Sequence, residues 1–370
     1  MTHSSARSRP AATGSARSSS TTASASNVRR PTLDEVAARA GVGRGTVSRV
    51  INGSPQVSPE ARAAVARAVE ELGYVPNRAA RALVTRRTDS VALVVSESEE
   101  RVFGEPFFAG IVRGVSNVLA DTSLQLWLAM AQSPSQRLMV ERHLSDQHVD
   151  GVLLLSLHDD DPLPALLGKR GLPTVLGGRP AHMLEIEQAG GGDNEVAYVD
   201  NDNEGGARTA VEHLIGLGRH CIAVIAGPQD MAVGIARLRG YREALRLASL
   251  PHDQRLIAYG DFSEASGADA MHRLIHLNPG LDAVFAASDL MAAGAIRALR
   301  ELGRRVPADV AVVGFEDSAV ARQTQPPLTT VHQSVEGMGR EMARLLLARI
   351  AGGPAHSTVL DTHLVVRESA

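Results

Sequence analysis

The run Arg44-Gly45-Thr46-Val47-Ser48-Arg49 places two guanidinium groups and two hydroxyls within six residues, around a glycine that carries no side chain. Guanidinium forks and hydroxyls hydrogen-bond phosphate oxygens and base edges, and an arginine can hold O6 and N7 of a guanine together. Catalysis asks for other groups. The sequence has no G-x-x-x-x-G-K-[ST] loop, no G-x-S-x-G elbow, no H-E-x-x-H and no C-x-x-C, and its histidines are scattered without metal-ligand spacing. Gly190-Gly191-Gly192 follows no strand in the dinucleotide pattern. These residues point to recognition rather than to an enzyme, and no cofactor or metal is expected.

For the Arg44–Arg49 groups to reach a nucleic acid they must stand on one exposed helix. Thr32 is placed to cap a first helix, with Glu35 three residues on in capping-box spacing, and Leu33, Val36, Ala37 and Ala40 repeat at helical period. Gly41-Val42-Gly43 breaks that helix. A second helix, from about Arg44 to Ile51, stops at Asn52-Gly53. Two helices joined this tightly make a helix-turn-helix, whose second helix enters the major groove N-terminus first. Ser58-Pro59 opens a third helix over 59–72, with Val65, Ala68, Val69 and Leu72 on its apolar face.

The 54 residues 30–83 resemble the head of the LacI/GalR (lactose-repressor) family, whose pattern T-x-x-[DE]-V-A-x-x-A-G-V-[SG]-x-x-T-V-S-R-V-[IL]-N stands here as Thr32 through Asn52. The resemblance implies DNA contacts from Thr32, Arg44, Gly45, Thr46, Ser48, Arg49 and Asn52. Tyr74-Val75-Pro76-Asn77 and the short helix Arg78 to Leu83 resemble the family's hinge, which implies further contacts from Asn77, Arg78, Ala80 and Leu83. Leu83 matches the leucine that wedges into the central base step of the minor groove, where unstacking is offset by the contacts a bent duplex gains.

At 370 residues the chain exceeds one core, so a small head with one large or two medium domains is expected. The net charge of −3 hides an asymmetry: residues 1–89 hold 14 of the 38 Lys+Arg and only six of the 41 Asp+Glu. A basic head on an acidic body suits an anionic partner held at one end. The single cysteine, Cys221, excludes an internal disulfide and a cysteine metal cluster. Residues 1–30, rich in Ser, Ala, Thr and Arg, read as a disordered tail without the apolar core of a signal peptide, and no stretch is long enough to span a membrane. A cytoplasmic protein is expected.

From Ser90 onward, apolar runs such as SVALVV (90–95), GVLLLS (151–156), CIAVIAG (221–227), AVFAAS (283–288) and VAVVGF (310–315) alternate with amphipathic helices, the pattern of helix-covered parallel sheets. A helix is expected over 238–248 and a last strand over 364–368, while 181–195 is irregular. Two such α/β lobes with crossing strands resemble the periplasmic-binding-protein fold that the same family uses as a sensor. The strings VDNDNEGGARTAVEHLIGLGRHCIAVIAGP (199–228), ARLRGY (236–241), FAASDLMAAGAIRAL (285–299), VAVVGFEDS (310–318) and PPLTTVHQ (326–333) carry that resemblance. Ligands in such folds sit at strand C-terminal ends, between lobes.

Carried over residue by residue, the resemblance implies that Arg237 holds ligand hydroxyl or carboxylate groups, with Ser288, Asp289, Phe262 and Gln333 facing the ligand. Glu316 stands where an Asp is commoner in the family. From the first lobe, Ser96 and the Glu105-Phe107-Phe108 group join the candidates. The expected organisation is a tail (1–30), an all-α helix-turn-helix head (31–76), a hinge (77–88) and a two-lobe α/β effector-binding and dimerisation domain (89–370). Its expected partners are double-stranded operator DNA, a mono- or oligosaccharide and a second copy of the chain. Dimers rather than tetramers are expected, because LVVRE (364–368) is followed by only two residues and no leucine-heptad helix. VAARAGVGRGTVSRVING and the body most resemble actinobacterial regulators of β-glucoside or cello-oligosaccharide use. A sugar-binding protein without a regulatory role would share the two lobes and have no use for residues 30–83.

Overall fold

The computed structural model describes residues 31–75, 87–145, 148–158, 161–181, 183, 197–251, 253–354 and 356–370. The hinge candidates Asn77, Arg78, Ala80 and Leu83, and nearly all of the 181–195 stretch, lie outside the described residues. The chain divides into two units, Met1–Arg81 and Ala82–Ala370.

In the first unit α1 (Leu33–Ala40) opens on the expected capping box: Thr32 N–H donates to Glu35 Oε2 at 2.7 Å, and Thr32 Oγ1 accepts from Glu35 N–H at 3.3 Å. Gly41 then takes the left-handed conformation (φ 68°), which a side chain would resist, and the chain turns at once into α2 (Arg44–Ile51). The Ser58 hydroxyl caps α3 (Pro59–Leu72) by accepting from Ala61 N–H at 3.2 Å. Val36, Ala37, Val47, Val65 and Ala68 meet in one small core that fixes α2 against its neighbours.

The second unit holds two sheets of six strands among the described residues, with matching strand order. In the first lobe β1 (Ser90–Val95) lies between β2 (Gln125–Met130) and β3 (Gly151–Leu155), followed outward by β4 (Thr174–Gly177), β5 (Ala197–Asn201) and β11 (Thr358–Leu360). In the second, β6 (Ile222–Ala226) lies between β7 (Ile257–Tyr259) and β8 (Ala283–Ala286), followed by β9 (Ala311–Glu316), β10 (Thr329–His332) and β12 (His363–Val365). All pairings are parallel except that of β12 with β10.

Strands buried on both faces read as unbroken apolar runs, and period two sends alternate residues to opposite layers. Val91, Leu93 and Val95 of β1 pack on α5 (Pro106–Leu119) and α13 (Val335–Ile350). Ala92 and Val94 face α6 (Pro134–Ser145) and α7 (Leu163–Lys169). In β8, Ala283 and Phe285 meet α8 (Asn203–Gly216) and α9 (Ala232–Leu247), whereas Val284 and Ala286 meet α10 (Glu264–Leu277) and α11 (Asp289–Glu301). The chain passes between lobes three times: from β5 to α8, from β10 to α13, and from β11 to β12.

Several elements depart from the sequence expectation. The helix expected from Leu238 starts six residues earlier, because Gly234 lets its first turn lie against Pro228, where an added Cβ would come within 2.0 Å of the Pro228 oxygen. Arg237 is therefore inside α9. The short helices α4 (Glu99–Gly104) and α12 (Ala319–Gln323) and the three- and four-residue strands β11 and β10 were not expected, being too brief to express a hydrophobic period.

Gly114 lets α5 approach α13: a Cβ there would lie 2.2 Å from Glu336 O and 2.9 Å from Arg340 N. Gly114→Ala should destabilise the second unit by about 1–3 kcal/mol through overpacking. Gly168→Ala, at an exposed helical position with nothing within 4 Å, should be neutral or stabilising. Thermal melts of both variants check the contrast.

Candidate functional site

On the first unit, α2 presents Arg44, Gly45 and Arg49 to solvent, with Thr46 and Ser48 half-buried and Val47 anchored in the core. Gly43 precedes the helix and supplies no side-chain cap, so the first N–H groups of α2 lack a side-chain acceptor and suit an anion. Arg44 is 70 % exposed, with Nε 3.6 Å from Asp34 Oδ1, a contact too exposed to hold it. Asn52 Nδ2 donates to Ser48 Oγ at 3.4 Å, which couples these two candidates. Thr32 caps the start of α1, and its hydroxyl is engaged in the capping box.

On the second unit, a cleft opens between the strand C-terminal ends of the two lobes, with about 770 Å³ of space when the part open to solvent is counted. Phe107, Arg237, Phe262, Glu316 and Gln333 of the expected set line it, together with Glu105 and Phe108. Phe107 and Phe108 meet edge to face, with centroids 5.4 Å apart. Phe262 holds a left-handed φ of 72°, and its ring lies over Gly227, where a Cβ would meet ring carbons at 2.4 Å.

Arg237 is the hub. Its side chain is 3 % exposed, and Nε donates to Asn203 Oδ1 (2.9 Å), Nη1 to Ala287 O (2.6 Å) and Nη2 to Gln333 Oε1 (3.1 Å). The guanidinium carbon lies 3.7 Å from the centroid of the Phe315 ring, and Glu316 Oε1 is 4.0 Å from Nη1. Burial lowers its pKa to about 10, so it stays cationic at neutral pH. Five N–H groups less three bonds leave two for a ligand.

Carboxylates surround that charge. Burial raises the pKa of Asp200, against the pull of Arg179 at 3.7 Å; its Oδ1 accepts from Asn201 N–H and Asn203 Nδ2, both at 2.9 Å. Glu316, at a left-handed φ of 117°, is likewise raised by burial, with Arg237 opposing. Asn201 also lines the cleft as a residue, but its side chain is buried: Nδ2 donates to Met338 Sδ at 3.4 Å, and Oδ1 is shielded from solvent and accepts no hydrogen bond among the described residues. Asp200, Asn201 and Asn203, with Arg101, Arg179 and Met231, belong to the wall although sequence reasoning did not single them out. The polar string VDNDN at the end of an apolar strand was the signal that could have found the first three.

Three expected residues do not line the cleft. Ser96 continues the β1 face of Ala92 and Val94, and its hydroxyl donates to Asp161 Oδ2 at 2.9 Å in a smaller cavity beside α6 and α7. Ser288 is the N-cap of α11, accepting from Met291 N–H. Asp289 is fully buried: Oδ1 accepts from Thr330 Oγ1 at 2.5 Å and Oδ2 from Ser318 N–H at 2.7 Å. It fixes the segment that follows Glu316, and so supports the site without facing it.

The family description "Bacterial regulatory proteins, lacI family" matches residues 32–77, and "Periplasmic binding protein-like domain" matches residues 211–370. The HTH-type transcriptional regulator CelR of Thermobifida fusca is 58% identical over 343 residues, covering 92% of this chain and 98% of that protein. Among solved structures, a transcriptional regulator CelR–cellobiose complex is 56% identical with a TM-score of 0.72, covering 92% of this chain and 100% of that one. The lac repressor dimer bound to operator and the anti-inducer ONPF has a TM-score of 0.78 at 28% identity, covering 92% and 99%.

A carboxyl whose pKa is raised on folding stabilises the folded state fully below its unfolded value, and that contribution is lost as pH rises through the folded value. Glu316→Gln removes this term. Its melting temperature relative to the unsubstituted protein should therefore climb between about pH 5 and about pH 8. Melts without ligand across that range check the slope, whatever constant offset the loss of a partner for Arg237 adds.

Proposed function

Because the chain belongs to the LacI family of bacterial regulatory proteins, we propose that it is a sequence-specific transcriptional repressor of sugar-utilisation genes, released from its operator by cellobiose or a short β-glucoside. The observation that carries the sugar half is the composition of the cleft wall. A saccharide offers hydroxyls that both donate and accept, and apolar ring faces. The wall offers Arg237, the carboxyls of Asp200 and Glu316, and the rings of Phe107, Phe108 and Phe262. The relationship to a regulator solved with cellobiose supports the choice of sugar.

The operator half rests on α2, with Arg44, Thr46, Ser48, Arg49 and Asn52 as its contacts and Gly45 leaving room for close approach. The protein acts as a homodimer on a pseudo-palindromic site, a reading supported by likeness to the lac repressor dimer on operator. In this reading residues 31–76 form the head, 77–88 the hinge and 89–370 the sensor, and there is no catalytic step. No helix among the described residues is long and apolar enough to cross a membrane, in keeping with a cytoplasmic regulator.

The test is fluorescence anisotropy on an operator that the purified protein selects from random-sequence DNA. Cellobiose should weaken operator binding at least about tenfold, or about 1.4 kcal/mol, with glucose and maltose less effective. Operator affinity indifferent to cellobiose but responsive to a nucleobase would overturn the sugar assignment. Arg237→Lys keeps the charge and loses the fork, and should cost about 1.5–3 kcal/mol of cellobiose binding while sparing the operator. Arg44→Ala should cost about 1–3 kcal/mol and relax preference at one base pair per half-site. A uniform loss across operator variants would mark Arg44 as a phosphate contact.

A further inference from the structure

We propose that Glu97, directly beyond the C-terminal end of β1, anchors a two-armed clasp that ties the lobes together beside the cleft and sets how firmly an effector is retained. The proposal rests on the effector reading above. Glu97 stands in a bend two residues past the end of β1, between Ser96, which turns to the far face, and α4. Its side chain is buried, and Oε2 forms an ion pair with Arg101 Nη1 at 2.7 Å. The other oxygen, Oε1, is shielded from solvent, accepts no hydrogen bond among the described residues, and faces His158 Nε2 at 3.8 Å.

Each cationic partner of Glu97 reaches the second lobe. His158, which follows β3, brings Nδ1 to 2.6 Å from Asp230 Oδ2, in the turn between β6 and α9. Arg101, on α4, lays its guanidinium carbon 5.9 Å from the centroid of the Phe262 ring, within cation–π range, and also holds Glu105 Oε1 at 2.7 Å. The neighbours of the first arm line the cleft, Ser156 and Leu157 before His158, and Met231, Ala232 and Val233 after Asp230. His158 and Asp230 thus meet immediately outboard of the ligand space. The Glu97 carboxylate above all, with Asp230, raises the pKa of His158 to about 9 against its burial, so the arm is charged at neutral pH.

A charge network serving only the first lobe would not need both arms to end on the second. The Asp230 and Phe262 contacts exist only while the lobes stay this close, so they favour whichever arrangement keeps them, and a ligand held by both lobes adds to the same preference.

The experiment uses the full chain with Glu97→Gln, His158→Gln, Asp230→Asn and the His158→Gln/Asp230→Asn double variant. Cellobiose affinity and dissociation rate are measured, together with operator affinity, ligand-free melting, and the interlobe distance distribution of ligand-free protein from a label pair on α7 and α10. Glu97→Gln should weaken cellobiose about tenfold, almost all of it as faster release. Each arm variant should weaken it about threefold, as befits a half-exposed pair, with the double no worse than either single. Operator affinity should stay near its unsubstituted value, melting should fall with the lost charge pairs, and the distance distribution should broaden in Glu97→Gln. Unchanged release in folded variants, or arm effects that simply multiply in the double, would overturn the clasp. If the unsubstituted protein does not bind cellobiose, the effector reading fails separately, and the distance distribution decides: broadening upholds the clasp and an unaltered distribution overturns it.

Discussion

A guanidinium removed from water must be compensated on every side, and Arg237 is the point at which the sensor unit meets that demand. Its partners come from the start of α8 (Asn203), the end of β8 (Ala287), the end of β9 (Phe315 and Glu316) and the residue after β10 (Gln333). Taking a charge into a low-dielectric interior costs several kcal/mol per ion unless geometry and hydrogen bonds repay it, and leaving one uncompensated is strongly destabilising. The chain therefore has to bring these strand ends together for the fold to be stable, and in doing so it builds the floor of a cleft. The remaining donors, and the carboxyls held above their usual range, are consequences of the same burial.

The two lobes solve one packing problem twice. In each, the first strand of the lobe lies between the next two, so the helices that follow leave on opposite faces and a crevice opens where the order reverses. The functional side chains gather at those strand ends. Asn203 joins the two halves chemically: its amide donates to Asp200 of β5 and its carbonyl accepts from Arg237 of α9, so the first passage between lobes is also a hydrogen-bonded bridge across the site.

Much of this was legible in the residues. Thr32 with Glu35, Gly41, and Ser58 with Pro59 marked the helix ends of the head because caps are local chemistry. SVALVV, GVLLLS and VAVVGF marked central strands because burial on both faces leaves no polar interruption. What escaped was of another kind. Asp200, Asn201 and Asn203 carry polar side chains whose burial is created by residues distant in sequence, and no local pattern records that. Ser96, Ser288 and Asp289 stood at the right strand ends, yet position along a strand does not state the direction of a side chain. Ser96 turns with Ala92 and Val94 to the far face, and Asp289 spends both oxygens on Ser318 and Thr330. The start of α9 was missed because Gly234 weakens helical propensity locally while a close approach to Pro228 requires it.

The threefold passage of the chain between lobes bears on the order in which they can be made. The inner layer of the first lobe includes Met338, Met342, Ala343 and Leu346 of α13, and its far edge is β11, both encoded after nearly all of the second lobe. The second lobe in turn needs β12 and Ser369, which is fully buried, donates to Val312 O at 2.6 Å and accepts from Thr329 N–H at 2.8 Å. The helices of the head, by contrast, are complete within residues 33–72. On a ribosome the head can assemble early, whereas the first lobe lacks its edge strand until residue 360 is made and the second lacks Ser369 until nine residues later, so the two lobes of the sensor mature almost together.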